Sequence, residues 1–283
     1  MKQLKEISAA RDSIGTIVSL SGAFEGIASM RIAQIKDQVQ QSQEFFAELW
    51  RIYNQIRVDE LFHFGRRLSS ENVIKKELLI LITGEGGFSG DIDERLVNDA
   101  LKHYDSQKND LVVVGHHGVI LLQQRNIRPK RGFQLPLHDR NITAAPLIDE
   151  VQEYQSTTVY YQSYQSLTNQ AINTIKLANA VAERGQNVAA GEEIISESNY
   201  IFEPSTFAVV DHLERSMMQI TLSEVILESK LAQYASRFRA MSVAREKATD
   251  SYHDLTSQYR RARRYIKDER LKEMVNSVKG VNQ

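Results

Sequence analysis

The chain has 283 residues, of which 42% are hydrophobic and 25% are charged, so it is long and apolar enough to bury a core. Its formal net charge of -1 argues against bulk electrostatic attraction to nucleic acid or to an anionic bilayer. It contains no cysteine, which excludes disulfides, thiolate catalysis and cysteine-ligated zinc. No window approaches the roughly 20 apolar residues of a membrane span, so we expect a soluble protein that reaches a membrane only through partners.

The N-terminal segment shows the alternating three- and four-residue spacing of the a and d positions in a coiled coil. Starting at Leu4, these steps land mainly on apolar side chains as far as Ile56. The pattern weakens from Ser21 to Glu25, close to Gly15, Gly22 and Gly26. The spacing predicts a long helix whose apolar seam needs a partner helix.

The middle of the chain alternates between short apolar runs and helical patterns. We predict strands at 78–82, 111–114 and 157–161, and helices at 91–104 and 166–184, the last ending at Gly185 as a C-cap. Strand, helix and strand at these intervals predict a small, mainly parallel sheet with crossover helices.

A glycine-rich loop, GEGGFSG at residues 84–90, stands where nucleotide-binding loops stand, between a strand and a helix. A dinucleotide fingerprint needs glycine at the position of Ser89, and a P-loop needs lysine where Asp91 follows Gly90. Asp93 and Glu94 would also repel phosphate. The loop therefore favours a tight strand-to-helix turn over a nucleotide site.

The same loop is a near miss to the nucleophile elbow of hydrolases, with Ser89 at the nucleophile position. The candidate bases downstream are His103, His116, His117 and His138, and no spacing singles one out. The adjacent pair His116 and His117 makes a poor metal chelate without further ligands. We predict neither catalysis nor metal or cofactor binding here.

The C-terminal run from 205 to 279 contains neither glycine nor proline. From Leu213 the three-and-four spacing holds to Ile266 and then slips to Leu271, Met274 and Val278, which predicts a helix of roughly 70 residues. Several cations occupy its outer face, namely Arg260, Arg261, Arg263, Arg264 and Lys267. We interpret them as contacts to an acidic protein partner rather than to nucleic acid, although a solvated helix face shows the same pattern.

Together these elements predict an α/β fold: a small, mainly parallel sheet domain with long N- and C-terminal helices that form an antiparallel coiled coil. The predicted domains are an N-terminal coiled-coil helix at 1–64, an α/β domain at 65–204 and a C-terminal coiled-coil helix at 205–283. The alternative is that each long helix packs on the middle domain instead of on the other helix.

From end to end, the chain resembles the gamma subunits of rotary F-type ATP synthases, as a divergent member. The resemblance lies in the opening LKEI at residues 4–7, in LLILITGEGGFSGDIDERL and DLVVVGHHG in the middle, and in a set of C-terminal positions. Those positions are Glu228, Ala235, Ser236, Arg237, Ala240, Met241, Ala244, Asp254, Leu255, Thr256, Tyr259, Ala262, Arg263, Leu271, Glu273 and Val275.

The resemblance implies a central rotor shaft that couples ion flow to ATP synthesis or hydrolysis, with no catalytic residue or cofactor of its own. It implies alpha and beta subunits of a catalytic ring, an epsilon subunit and a membrane ring of c subunits as partners, and a place at the cytoplasmic face of the cell membrane. Residues matched to ring contact are Arg31, Arg237, Arg260, Arg263, Leu271 and Val275.

One departure concerns the N-terminal helix, where family members usually place cations that face acidic segments of the beta subunits. The matching positions here hold Gly22, Glu25 and Ala33, and only Arg31 is retained. This departure predicts a specialised branch with an altered contact. It is also the main argument for the alternative function, a non-rotary coiled-coil adaptor that shares the architecture.

Overall fold

Two long helices form the ends of the chain in the computed structural model, which describes residues 2–55, 74–135, 142, 144–186 and 201–281. Helix α1 spans Lys2–Gln55 and helix α6 spans Thr206–Val281. Both predicted terminal helices are confirmed. Among the described residues, no helix is long and apolar enough to cross a membrane.

Between these helices lies a five-stranded sheet with its crossover helices. In chain order the elements are β1 Ile74–Ile82, α2 Ile92–Leu101, β2 Asn109–Val114, α3 His116–Gln124, β3 Arg131–Phe133, α4 Ala145–Val151, β4 Tyr154–Tyr164, β5 Gln170–Lys176 and α5 Leu177–Gln186. The strand order is β3-β2-β1-β4-β5, and every neighbouring pair is parallel except β4 with β5. The predicted mainly parallel sheet is confirmed.

The sheet is buried on both faces, which explains the uninterrupted apolar run in β1. Leu78, Ile80 and Ile82 face one core, and Leu79 and Leu81 face the other. The first core is completed by α4 and by three residues of α6, and the second by α2 and α3; the α6 residues are Leu222, Val225 and Ile226. Part of α6 therefore covers one face of the sheet.

The predicted helix at 166–184 is wrong over its first half. Residues Gln170–Lys176 form β5, antiparallel to β4, and α5 begins only at Leu177 and continues past Gly185 to Gln186. The reason is visible in two side chains. Ile172 packs into the core beneath α2 and α3, whereas Ile175 packs into the core beneath α6. In a strand, two side chains three residues apart point to opposite faces, whereas in a helix they would lie on the same side.

The chain divides into two compact units. Residues 1–28 and 238–283 form one, here called the coil unit, and residues 29–237 form the other, here called the sheet unit. The boundary predicted at 64/65 lies outside the described residues. The other predicted boundary, at 204/205, lies next to the start of α6 at Thr206. The three-domain division remains a prediction.

In the coil unit, the two helices pair antiparallel along the predicted seam. The guanidinium carbon of Arg11 lies 4.8 Å from the centroid of the Tyr259 ring, and the carboxylate of Glu25 lies 3.0 Å from Nη1 of Arg245. Between them, Tyr252 approaches Gly15 so closely that a Cβ on this glycine would lie 3.2 Å from the tyrosine Cε2. The residue numbers of these contacts fall along α6 as they rise along α1. The two helices therefore form an antiparallel coiled coil.

In the sheet unit, α1 and α6 also meet in antiparallel order. Phe46 and Trp50 of α1 pack with Met217 of α6 and Val181 of α5 in one buried cluster. Beyond this cluster, the Tyr53 hydroxyl donates a hydrogen bond to Oε1 of Glu214 at 3.2 Å. Burial and proximity to Glu214 raise the pKa of Tyr53 far above its usual range, so the phenol keeps its donor proton at neutral pH.

Gly115, at the turn from β2 into α3, is expected to tolerate no side chain. Its φ is +99°, and a Cβ there would lie 2.2 Å from the backbone oxygen of Thr83. Gly115→Ala should therefore lower the free energy of unfolding by about 3 kcal/mol or more, since strain and overpacking add. Denaturant unfolding measures this loss. The matched control is Gly86→Ala, where a Cβ meets nothing within 4 Å; equal stabilities of the two variants would contradict the assignment.

Candidate functional site and partner-binding surfaces

The glycine-rich loop closes on a buried carboxylate. Asp93 of α2 is fully buried, and its two oxygens accept from the Gly84 backbone N–H at 3.3 and 3.2 Å. Gln162 of β4 donates to the same carboxylate at 2.8 Å, and Nδ1 of His117 lies 2.7 Å from it. The carboxyl ends of parallel strands are where α/β sheets bind nucleotides. Here the carboxylate of Asp93 accepts the hydrogen bond that the backbone N–H of Gly84 in the loop donates.

Helix α6 joins this cluster through a polar network inside the sheet unit. The Gln162 side-chain oxygen accepts from the hydroxyl of Ser229, and from Nε2 of Gln233 at 3.2 Å. Gln233 also donates to the Ser229 hydroxyl oxygen at 3.1 Å. The residues Asp93, Gln162, Ser229 and Gln233 are here called the buried polar network. It fixes α6 to β4 and α2 by directional bonds as well as by apolar packing.

The loop itself is attached to the next turn of α6. The hydroxyl of Ser236 donates to the backbone oxygen of Ser89 at 2.6 Å. Arg237 donates to the backbone oxygen of Gly86 at 3.3 Å and to Oγ of Ser89 at 3.4 Å. Its guanidinium also stands over the Tyr234 ring, 5.4 Å from the centroid. Loop 84–90 therefore connects the sheet to α6 through hydrogen bonds.

These contacts give the hydrolase candidates structural roles. Ser89 is only 2% exposed and is bonded to Arg237, while His117 is bonded to Asp93. The ring of His103 contacts the backbone oxygen of Asp99, and His138 lies outside the described residues. Within the described ranges, no group of three His, Cys, Asp or Glu side chains is arranged to hold a metal ion. The geometry supports the predicted tight turn.

The His117–Asp93 pair predicts a pH-dependent stability. The hydrogen bond to Asp93 raises the pKa of His117, and burial opposes this only in part. A raised folded-state pKa means that the stabilisation is complete below the unfolded value of about 6.5 and is lost as pH rises through the folded value. The stability advantage of the native chain over His117→Gln should therefore shrink as pH rises from about 6.5 into the alkaline range.

Urea unfolding of both chains across that range measures this advantage. His103→Gln serves as the control, because the His103 ring lies against the backbone oxygen of Asp99 and 6.5 Å from the centroid of the Tyr160 ring, rather than against a carboxylate. A stability difference between native and His117→Gln chains that stays constant with pH would contradict the ion pair.

Four of the six predicted partner-binding residues lie near the end of α6 in the coil unit. Arg260 and Arg263 are exposed, and Leu271 and Val275 are 55% and 52% exposed. At about 100° per residue, Arg260, Leu271 and Val275 fall within about 60° of one another, opposite the seam positions that run to Ile266, and Arg263 lies to one side. The helix therefore presents Arg260, followed by Leu271 and Val275, on a single outward face, with Arg263 at its side.

The other two predicted residues, Arg31 and Arg237, belong to the sheet unit. Arg31 is half-buried, and its guanidinium donates to Oε1 of Gln34 at 3.3 Å. Arg237 holds the glycine-rich loop, a structural role that sequence analysis missed. The only sequence signal for the buried polar network is that Ser229 and Gln233 stand one helical turn apart amid buried positions. Contact of all six residues with a partner remains a prediction.

Fold and surface together define a class of protein: an α/β domain between terminal helices that pair antiparallel, with the glycine-rich loop 84–90 bonded to α6. A family model described as ATP synthase matches residues 3–280. The chain belongs to this ATP synthase family, and the predictions of a gamma subunit and of its rotor-shaft role are confirmed.

Relatives cover the whole chain at low identity. The ATP synthase gamma chain of Chloroherpeton thalassium is 23% identical, with 100% of this chain and 99% of that protein aligned. The gamma chain of Chlorobium phaeobacteroides is 25% identical, with 97% of each aligned. Among solved structures, a chain of the Euglena gracilis mitochondrial ATP synthase, OSCP/F1/c-ring, superposes with a TM-score of 0.64 at 13% identity, covering 98% of this chain and 95% of that one.

Proposed function

We propose that this chain is the central shaft of an F-type ATP synthase, turning inside a ring of alternating alpha and beta subunits and coupling ion flow to ATP synthesis or hydrolysis. Rotation of an asymmetric shaft links torque to nucleotide affinity, because each ring site meets a different face of the shaft in turn. The shaft needs no catalytic residue for this, since nucleotide and magnesium bind to the ring.

The observation that carries this proposal is the antiparallel pairing of α1 and α6 in each unit. Arg11 stacks on Tyr259 in the coil unit, and Tyr53 bonds to Glu214 in the sheet unit. Two paired helices resist twisting better than one. The buried polar network adds resistance, because α6 cannot rotate about its own axis without breaking its hydrogen bonds to Gln162.

The partners follow from the same proposal. The outward face of α6 that carries Arg260, Leu271 and Val275, with Arg263 beside it, contacts the alpha and beta subunits, and the two arginines suit acidic ring surfaces. The α/β domain docks the epsilon subunit and the ring of c subunits. Family membership makes the chain part of the peripheral sector of the synthase. We place that sector at the cytoplasmic face of the cell membrane.

Affinity purification from solubilised membranes of the source organism tests this function. A tagged chain is expected to recover alpha and beta subunits together with ATPase activity. A chain with Arg260→Glu and Arg263→Glu is expected to recover less of the ring, and Lys102→Glu, an exposed charge reversal on the α/β domain, serves as its control. Recovery alone or with unrelated proteins would favour the non-rotary adaptor.

A further inference from the structure

One stretch of α1 in the coil unit is almost without charge. Residues 13–28 contain a single charged side chain, Glu25. Its side chain is only 12% exposed, and its carboxylate lies 3.0 Å from Nη1 of Arg245. Over more than four helical turns, α1 therefore offers no uncompensated charge to a partner.

Four large apolar side chains of this stretch are open to solvent. Ile17, Leu20, Phe24 and Ile27 are 44%, 53%, 36% and 46% exposed. Their three-four-three spacing places them within an arc of about 80° on α1, beside the seam rather than on it. These four residues are here called the apolar face. Isolated exposed apolar residues are ordinary, whereas a contiguous row of them marks an interaction surface.

Two hydroxyl side chains of the same stretch are already bonded to the backbone of the helix. The hydroxyl of Thr16 donates to the backbone oxygen of Asp12 at 3.1 Å, and that of Ser19 to the oxygen of Gly15 at 3.1 Å. Such back-bonded hydroxyls lose little when water is removed. A surface that covers the apolar face therefore needs to supply no hydrogen-bond partner to these two hydroxyls.

We propose that the apolar face contacts an uncharged, apolar segment of a subunit of the surrounding ring, an inference that rests on the proposed function. Charge complementarity decides the chemistry of that segment. An acidic segment would find no free cation among residues 13–28 and would approach Glu25 with like charge. A charge of the partner that the contact desolvated would find no unpaired counter-charge among residues 13–28, which is strongly unfavourable. On this side of the shaft, contact between apolar surfaces that slide past each other therefore replaces ionic contact.

Site-specific cross-linking tests the partner directly. Because the chain has no cysteine, Leu20→Cys provides a single attachment point for a benzophenone maleimide in the assembled complex. Illumination is expected to yield a cross-link to a ring subunit within a peptide that lacks acidic side chains. A cross-link to an acidic peptide or to a second copy of this chain, or none despite recovery of the ring, would overturn the proposal. Failure to recover the ring would instead contradict the proposed function.

A pair of adjacent charge substitutions supplies the second test. Leu20→Asp places a carboxylate on the apolar face, and Ser19→Asp places one on an exposed position about 100° away around α1. Leu20→Asp is expected to lower recovery of the ring at least about tenfold relative to Ser19→Asp. Circular dichroism of both purified chains checks that the helices remain formed. Equal recovery of the ring by two folded variants would contradict an apolar contact.

Discussion

Replacing Asp93 with leucine is expected to lower the free energy of unfolding of the sheet unit by about 3 kcal/mol or more. The substitution leaves the Gly84 N–H and the Gln162 amide without their acceptor and His117 without its counter-charge. Each buried donor left unpaired costs about 1–3 kcal/mol, and a broken buried ion pair costs about 3–5 kcal/mol. Denaturant unfolding followed by circular dichroism measures the loss.

Asp91 supplies a matched control two residues away. It is exposed and stands at the N-cap of α2 without a side-chain capping bond. Asp91→Ala should therefore change stability by no more than about 0.5 kcal/mol. Similar effects of the two substitutions would mean that the carboxylate of Asp93 is not the centre of the loop's hydrogen bonding.

Leu231→Pro is expected to separate ATP hydrolysis from ion movement in the assembled complex. Leu231 lies within α6 on the predicted seam, and a proline inside a helix removes a backbone hydrogen bond and costs about 3 kcal/mol or more. A shaft that bends at this position would transmit less torque, so hydrolysis should persist while ATP-driven ion uptake into reconstituted vesicles is lost.

The control for the proline is Leu231→Ala, which shortens the same half-buried side chain and keeps the helix intact. This variant should retain ion uptake. Unchanged uptake by the proline variant, in complexes that contain all the ring subunits, would contradict torque transmission through α6.

The long helices were predictable because their signal is repeated and local. In the described part of α1, each seam position from Leu4 to Tyr53 is buried or half-buried. The signal of strand β1 is equally clear, because a run of five consecutive apolar residues favours a strand that is buried on both faces. In both cases, the residues that define the element lie next to one another in the chain.

Elements that depend on distant partners were missed or misjudged. Strand β5 exists because Gln170–Lys176 bonds to β4, and its polar residues gave no clear alternation. The bond between Arg237 and Gly86 joins residues 151 positions apart, and that between Ser229 and Gln162 joins residues 67 apart. Nothing in the local sequence distinguishes these polar side chains from solvated ones. The sequence therefore predicts a partner contact for Arg237, whereas its bond to the glycine-rich loop is visible only in the fold.

Single-molecule rotation tests the shaft most directly. The chain has no cysteine, so Lys108→Cys, at a side chain that is 81% exposed, provides one site for a visible probe. With the ring fixed to a surface, addition of ATP should turn the probe continuously in one direction, and Leu231→Pro should weaken that torque. ATP hydrolysis by the intact complex without any rotation of the probe would contradict a rotary role for this chain.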